Sequence, residues 1–255
     1  MLGSYGRGRD QVGELLRPHG APPAGGWPVV VLVHGGFWRQ RYDRTLMTPL
    51  AEALQRDGFA SWNLEYRRVG GEGGWPTTLE DVAAGIDHLA GLTDIDLQRV
   101  AVVGHSAGGH LALWAASRHR LPAEAPGAGP DLVPAAAVGL APVADLEGAA
   151  LAGLGDGAVT SFLGGSQRRF PRRWRWADPI RLVGHGVPVL LVHGSEDEDV
   201  PPEQSAAYHD AARSAGDEVS VVTQPIGHRD VIDPGSPAWA ETSRWLASRL
   251  ERAPG

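Results

Sequence analysis

Gly104-His105-Ser106-Ala107-Gly108-Gly109 stands between an apolar run, Val100-Ala101-Val102-Val103, and a helix-like segment, Leu111-Ala112-Leu113-Trp114-Ala115-Ala116. A serine with glycines two before and two after it, between a strand and a helix, is the nucleophile-elbow pattern G-x-S-x-G. The chain must turn sharply there to lift a hydroxyl above the sheet. The serine backbone is therefore expected to be strained, and residues two away must be small so that strand and helix can approach. The Ala107 amide then falls at a helix N-terminus, aimed where an oxyanion forms. Five residues alone also fit an ordinary glycine-rich loop; the strand before and the helix after favour a nucleophile.

Working outward, Val29-Val30-Val31-Leu32-Val33 is a continuous β-branched run, as expected of a strand buried on both faces of a parallel sheet. It ends at His34-Gly35-Gly36-Phe37-Trp38. Leu46, Leu50, Ala53 and Leu54 have helical spacing over residues 46–56, and Gly58 stops that helix. A strand is read over 59–66, then a glycine-rich loop over 70–76. Thr77 and Glu80, at capping-box spacing, open a helix that runs to about residue 89. Further strands are predicted over 135–140, 188–192 and 219–223, and further helices over 107–118, 202–215 and 239–250. A short edge strand fits 11–17.

This alternation, without repeats or long linkers, predicts one α/β domain over residues 1–255. Its expected core is a doubly wound, mostly parallel sheet with helices on both faces. Residues 145–182 break the rhythm with two glycine-rich stretches and then Arg168-Arg169-Phe170-Pro171-Arg172-Arg173-Trp174-Arg175-Trp176. An insertion after a strand's C-terminal end lies over the site in such sheets, so this segment is read as a lid or cap rather than a second domain. A basic, solvated surface helix is the alternative.

A hydroxyl of ordinary pKa needs a base within reach, and the base needs an orienting carboxylate. Behind an elbow of this kind the chain order is serine, acid, histidine. Gln224-Pro225-Ile226-Gly227-His228 follows the last predicted strand and offers His228 as the base. His209 falls mid-helix and is read as a surface residue. His193-Gly194-Ser195-Glu196-Asp197-Glu198-Asp199-Val200-Pro201 follows the strand before, and its four carboxylates are all candidates by composition. For the oxyanion, Gly36 and Phe37 join Ala107 as candidate amide donors. His34 is read as tying down its loop through the ring nitrogens.

The bulk numbers set limits. The chain has 255 residues, 42% hydrophobic and 21% charged, which suits one globular domain with a full core. Formal net charge is -7, and every one of the 23 basic residues is arginine. With no global basic field, nucleic acid is not expected as a partner. The absence of cysteine excludes disulfides, thiolate catalysis and cysteine-ligated metals. Residues 1–7 lack the apolar stretch of a secretory signal, and no apolar run approaches membrane-spanning length. A cytoplasmic location is the resulting expectation, with no membrane partner.

Taken together, His34-Gly35-Gly36-Phe37-Trp38, Asn63-Leu64-Glu65-Tyr66-Arg67-Arg68, the Ser106 elbow, the 193–201 segment and Gly227-His228 resemble the α/β-hydrolases. The resemblance is to their esterase/lipase group, close to kynurenine formamidase-like enzymes and to esterases with a His-Gly-Gly-x loop. It implies the α/β-hydrolase fold. Its H-G-x-x-D-x-x-V-P pattern puts the acid on Asp197, with Asp199 as runner-up. His-Gly-Gly followed by an aromatic and Trp is similar to the formamidase loop, and His105 stands where His-Gly-Gly-Gly esterases usually carry Asp.

The resemblance implies a serine hydrolase for small carboxylic esters, acyl or aryl, working through an acyl-enzyme without metal or organic cofactor. Ser106 attacks, His228 takes and returns the proton, and Asp197 orients the imidazole. An arylformamidase acting on an N-formylkynurenine-type amide is the alternative. A small-peptide hydrolase or a non-catalytic binding protein on the same fold ranks lower. Trp38, His105, Trp174 and Trp176 are candidate substrate-binding residues, with Phe37 as a further apolar wall. Arg172, Arg173 and Arg175 are candidates to attract a substrate carboxylate. The expected partner is a small-molecule ester or amide; a homodimer is left open.

Overall fold

Val29, Val31 and Val33 point to one side of strand β3 (Trp27–Val33), and Val30 and Leu32 to the other; both sides are fully buried. That double burial is why the sequence here is continuous rather than alternating. The structure, a computed structural model, describes residues 2–251. Around β3 are β1 (Leu2–Ser4), β2 (Val12–Leu16), β4 (Ala60–Leu64), β5 (Ile95–His105), β6 (Ala136–Leu140), β7 (Val189–Gly194) and β8 (Val219–Gln224). They form one sheet in the order β1-β2-β4-β3-β5-β6-β7-β8. β1 and β2 run antiparallel to their neighbours, and every pairing from β4 to β8 is parallel. The expected α/β class and mostly parallel sheet are observed.

Helices α1 (Thr48–Arg56) and α8 (Pro237–Leu250) cover the face of Val30 and Leu32. Helices α2 (Thr77–Asp87) and α3 (Ala107–Ser117) cover the face of Val29 and Val31, and α7 (Glu203–Ser214) packs on β7 and β8. The chain passes from β3 outward to β4, then returns across β3 to β5. This reversal leaves a crevice at the C-terminal ends of β3 and β5, where ligands bind in open α/β sheets. The His34–Trp38 loop leaves β3 and the Ser106 elbow leaves β5 at that crevice.

Two local expectations need correction, and one strand was not expected. Thr77 is the first residue of α2, with Pro76 as its cap, so Thr77 and Glu80 form no capping box. Backbone carbonyls of Gly74 and Pro76 take the first helix amides, and Thr78 ties down the preceding loop: its Oγ1 accepts from the Gly74 N–H (2.9 Å) and donates to the Arg67 carbonyl (2.6 Å). β5 begins at Ile95, before the apolar run at 100–103, because Leu97 and Gln98 lie on its open end and need no apolar pattern. β1 is a three-residue edge strand whose largely exposed side chains carry no period-two signal.

The insertion at 145–182 holds three short helices, α4 (Leu146–Leu151), α5 (Ala158–Leu163) and α6 (Pro171–Ala177). Leu146, Val159, Phe162, Leu163 and Trp174 belong to the same core cluster as α2 and α3. Phe162 stacks on Trp38 at 4.8 Å, and its carbonyl accepts from the Trp75 N–H at 2.8 Å. Trp114 Nε1 donates to the Trp176 carbonyl (2.9 Å), and His110 Nε2 to the Ala177 carbonyl (2.8 Å). Burial pushes the His110 imidazole down to about 4, so it serves as a neutral tie. Among the described residues no helix is long and apolar enough to cross a membrane.

Candidate active site

Ser106 caps α3 with φ 57° and ψ -119°, a backbone conformation that side chains rarely adopt. The glycines around it follow from contact. A Cβ at Gly104 would run into the Gly108 carbonyl, and one at Gly108 into the Val33 carbonyl. The strand and helix touch backbone to backbone, which only glycine allows. The elbow is held from below by the Ser106 N–H, which donates to the Leu140 carbonyl of β6 (2.8 Å).

His228 follows β8, and its Nδ1 lies 2.7 Å from Asp197 Oδ2. The Asp197 carboxylate is fully buried, while the His228 side chain is 11% exposed. Burial works against the charge on Asp197. Hydrogen bonds from His193, His228 and the Val200 N–H outweigh it and hold the carboxyl well below the usual carboxylate range. Asp197 Oδ1 takes two loop amides, from Asp199 (2.9 Å) and Val200 (2.8 Å), and His193 Nε2 is 3.3 Å from Oδ2. Of the four clustered carboxylates, Asp197 alone meets His228; Glu196, Glu198 and Asp199 are exposed.

The loop after β3 is the third side of the site. Gly36, Phe37 and Trp38 all have positive φ (105°, 51° and 55°). Among the described residues neither the Phe37 N–H nor the Ala107 N–H has a hydrogen-bond acceptor. Ala107 is the first residue of α3, where amides lack intrahelical partners. A free amide at a helix N-terminus, as at Ala107, favours negative charge in front of it. His34 anchors the loop, with Nδ1–H donating to the Gly35 carbonyl (2.8 Å), Nε2 2.9 Å from Glu65 Oε1, and the ring stacked on Tyr66 at 4.4 Å. Glu65 also takes the Tyr66 and Arg44 N–H groups (both 3.0 Å) and pairs with Arg68.

Ser106, His228, Gly36 and Phe37 line one open cavity of about 430 Å³, together with His105. Its lining is mixed: Arg39, Arg41 and Tyr42 from the loop after β3, Asp156 from the insertion, Glu198, Asp199 and Arg229 stand beside the apolar Leu46, Leu154 and Ile232. The insertion reaches it only through 153–156, where the Gly155 carbonyl accepts from Arg39.

The expected tryptophan walls are elsewhere. Trp38 is fully buried; its left-handed backbone turns the indole into the core, where it donates to His110 Nδ1 (3.3 Å). Trp174 is buried inside the insertion, with Nε1 donating to the Gly165 carbonyl (3.1 Å). Trp176 lies beside Trp75 in a separate groove with Glu80 and Glu124. Arg172, Arg173 and Arg175 are absent from the cleft, and Arg173 instead covers the Phe170 ring at 3.9 Å. Glu65 and His193 are supports with no catalytic signature of their own, although both stand inside the motifs at 63–68 and 193–201. The lining residues Arg39, Arg41 and Arg229 carry no signal in a single sequence.

Comparison with known proteins gives the chain its family. The BD-FAE family matches residues 20–211. The chain is 29% identical over 196 residues to the alpha/beta hydrolase domain-containing protein WAV2 of Arabidopsis thaliana, covering 72% of this chain and 59% of that one. It is 29% identical over 201 residues to esterase LipC of Mycobacterium tuberculosis, covering 73% of this chain and 48% of that one. The chain thus spans about half the length of the curated relatives it matches. Among solved structures, a truncated carbohydrate esterase from gut microbiota superposes with a TM-score of 0.81 over 98% of this chain and 95% of that one, at 17% identity. That likeness concerns the fold. With the match over residues 20–211 and the eight-stranded sheet in hand, the chain is an α/β-hydrolase and belongs to the BD-FAE family.

Proposed function

We propose that this protein is a serine esterase that cleaves small carboxylic esters through Ser106, His228 and Asp197 and an acyl-enzyme. The observation that carries the reading is the 2.7 Å bond from His228 to the buried Asp197 carboxyl, with His228 and Ser106 lining one cleft. His228 removes the Ser106 proton as the oxygen attacks the ester carbonyl. The carbonyl oxygen becomes an oxyanion held by the Ala107 amide together with those of Gly36 and Phe37. The alcohol leaves with the proton from His228, and a water repeats the sequence on the acyl-serine. Relatives named as esterases support the same reaction class.

The lining sets charged side chains (Arg39, Arg41, Arg229) beside apolar ones (Phe37, Leu46, Leu154, Ile232), which suits a small ester with a polar and an apolar part. The formamide alternative rested on the aromatic-Trp loop, and Trp38 faces the core rather than the cleft. Ester hydrolysis is therefore the preferred reading. Labelling with a fluorophosphonate and turnover of p-nitrophenyl acetate, butyrate and octanoate, with N-formylkynurenine alongside, test it. Both labelling and ester turnover should vanish in Ser106→Ala. Ester turnover that survives this substitution, or faster turnover of the formamide than of every ester, overturns it.

A further inference from the structure

His105 ends β5, immediately before the elbow. Its Nε2–H donates to the backbone carbonyl of His228 at 2.9 Å, and the two rings sit 4.6 Å apart at 43°. The residue is 5% exposed, and its Nδ1 is buried without a partner. Leaving a buried polar atom unpaired costs stability, so packing alone would be better served here by an apolar ring.

The histidine loop has few other ties to the sheet near its tip. The Gly227 N–H bonds to Asp230 Oδ2 (2.8 Å) and the Asp230 N–H to the Gly227 carbonyl (3.3 Å), both within the loop. The Glu196 N–H reaches the Ile226 carbonyl (3.2 Å) from the acid loop, which is itself a loop. The bond from His105 is therefore the one that refers His228 directly to the strand carrying Ser106. Asp197 fixes the rotation of the imidazole through Nδ1; the His228 carbonyl fixes where the side chain starts.

We propose that His105 is a positioning residue for His228, setting the distance between base and nucleophile through the Nε2–carbonyl bond. This inference rests on the esterase reading above and is separate from the substrate contact expected of His105 from sequence. A burial-shifted neutral ring suits the task, because a second positive charge beside the imidazolium of His228 would oppose its formation.

The test compares His105→Phe, which keeps a ring and removes the donor, with His105→Gln, whose amide nitrogen falls near the Nε2 position. With p-nitrophenyl acetate, the phenylalanine variant should lose about 10- to 30-fold in kcat with KM within about 2-fold, as expected when one orienting hydrogen bond is lost. The glutamine variant should recover to within about 5-fold of the parent. A packing role predicts the opposite order, since phenylalanine fills the buried site better than glutamine. Should the phenylalanine variant not fold, His105→Asn, whose amide sits on the Nδ1 side and falls short of the carbonyl, takes its place. Parent-like kcat in the donor-free variant, or equal losses in donor-free and glutamine variants, overturns the proposal. Ser106→Ala is run in parallel. If it keeps ester turnover, the esterase reading itself fails; if it is inactive while His105→Phe is not, only the positioning role fails.

Discussion

Asp197 Oδ2 stands 2.7 Å from His228 Nδ1, and the three acidic residues flanking Asp197 all point to solvent. The bond fixes which imidazole nitrogen faces Asp197 and leaves Nε2 for the cleft. Asp197→Asn keeps the size and reverses the hydrogen-bond polarity, so kcat should fall about 10³- to 10⁴-fold. Asp199→Asn, which removes only an exposed charge, should change it by less than about 3-fold. Steady-state turnover of p-nitrophenyl acetate decides, and comparable losses in the two variants would contradict the assignment. Because the folded carboxyl titrates below its unfolded range, Asp197 adds stability above about pH 4, and that contribution is lost as pH falls through the folded value.

How far the sequence could be read follows from this contrast. Backbone contacts leave a mark in the letters: Gly104 and Gly108 are glycines because carbonyls occupy the Cβ positions, and Val29–Val33 is apolar throughout because both faces are covered. The order serine, acid, histidine is likewise written along the chain. The direction of a large side chain is not. Trp38 follows Phe37 in the same loop, yet a positive φ at both sends the indole into the core and leaves Phe37 at the cleft. Trp174 and Trp176 depend on how a 38-residue-scale insertion packs, which periodicity over α6, a seven-residue helix, cannot show.

The elbow glycines give a stability prediction. In Gly108→Ala a methyl meets the Val33 and His34 backbone, which cannot yield without shifting β3. The expected loss is about 3 kcal/mol or more, seen as a lower urea midpoint. At Gly20 a Cβ meets nothing within 4 Å, but φ is 100°, so Gly20→Ala should cost only strain, about 1 kcal/mol. An unchanged midpoint in Gly108→Ala would show that strand and helix do not approach as described.

Glu65 links the loop after β3 to the rest of the molecule. Glu65→Gln neutralises the group facing both His34 and the buried Arg68, and leaves Arg68 with Asp10 (2.8 Å) as its remaining carboxylate. Removing one member of a buried charged set typically costs about 3 kcal/mol. The loop carrying Phe37 should loosen with it, so kcat should fall by about 10-fold while Ser106 remains reactive toward a fluorophosphonate. Differential scanning calorimetry and ester turnover on the same preparation check both halves. Full activity at a lowered melting temperature would separate the anchor from the oxyanion site.

Asp178 supplies a pH dependence of opposite sign to that of Asp197. Its carboxyl is fully buried at the base of the insertion, where Oδ1 accepts from the Leu146 N–H (3.0 Å) and Arg181 Nε lies 3.3 Å from Oδ2. Burial pushes it up to about 7, and the Leu146 amide and Arg181 only partly counter this. A carboxyl that titrates higher in the folded than in the unfolded state binds its proton in the fold first. Stability is then greatest below the unfolded value near 4, declines as pH rises toward 7, and levels off above it. Three pKa units correspond to at most about 4 kcal/mol. Asp178→Asn keeps the Oδ1 acceptor and cannot ionise, so the fall in Tm between pH 5 and pH 8 should be smaller than in the parent. Because Leu146 opens α4, whose far end leads into the 153–156 wall, the parent should also gain proteolytic sensitivity in that loop at pH 8. Equal Tm shifts in parent and variant would mean that Asp178 is already ionised in the fold at pH 5, and that the Arg181 contact outweighs burial.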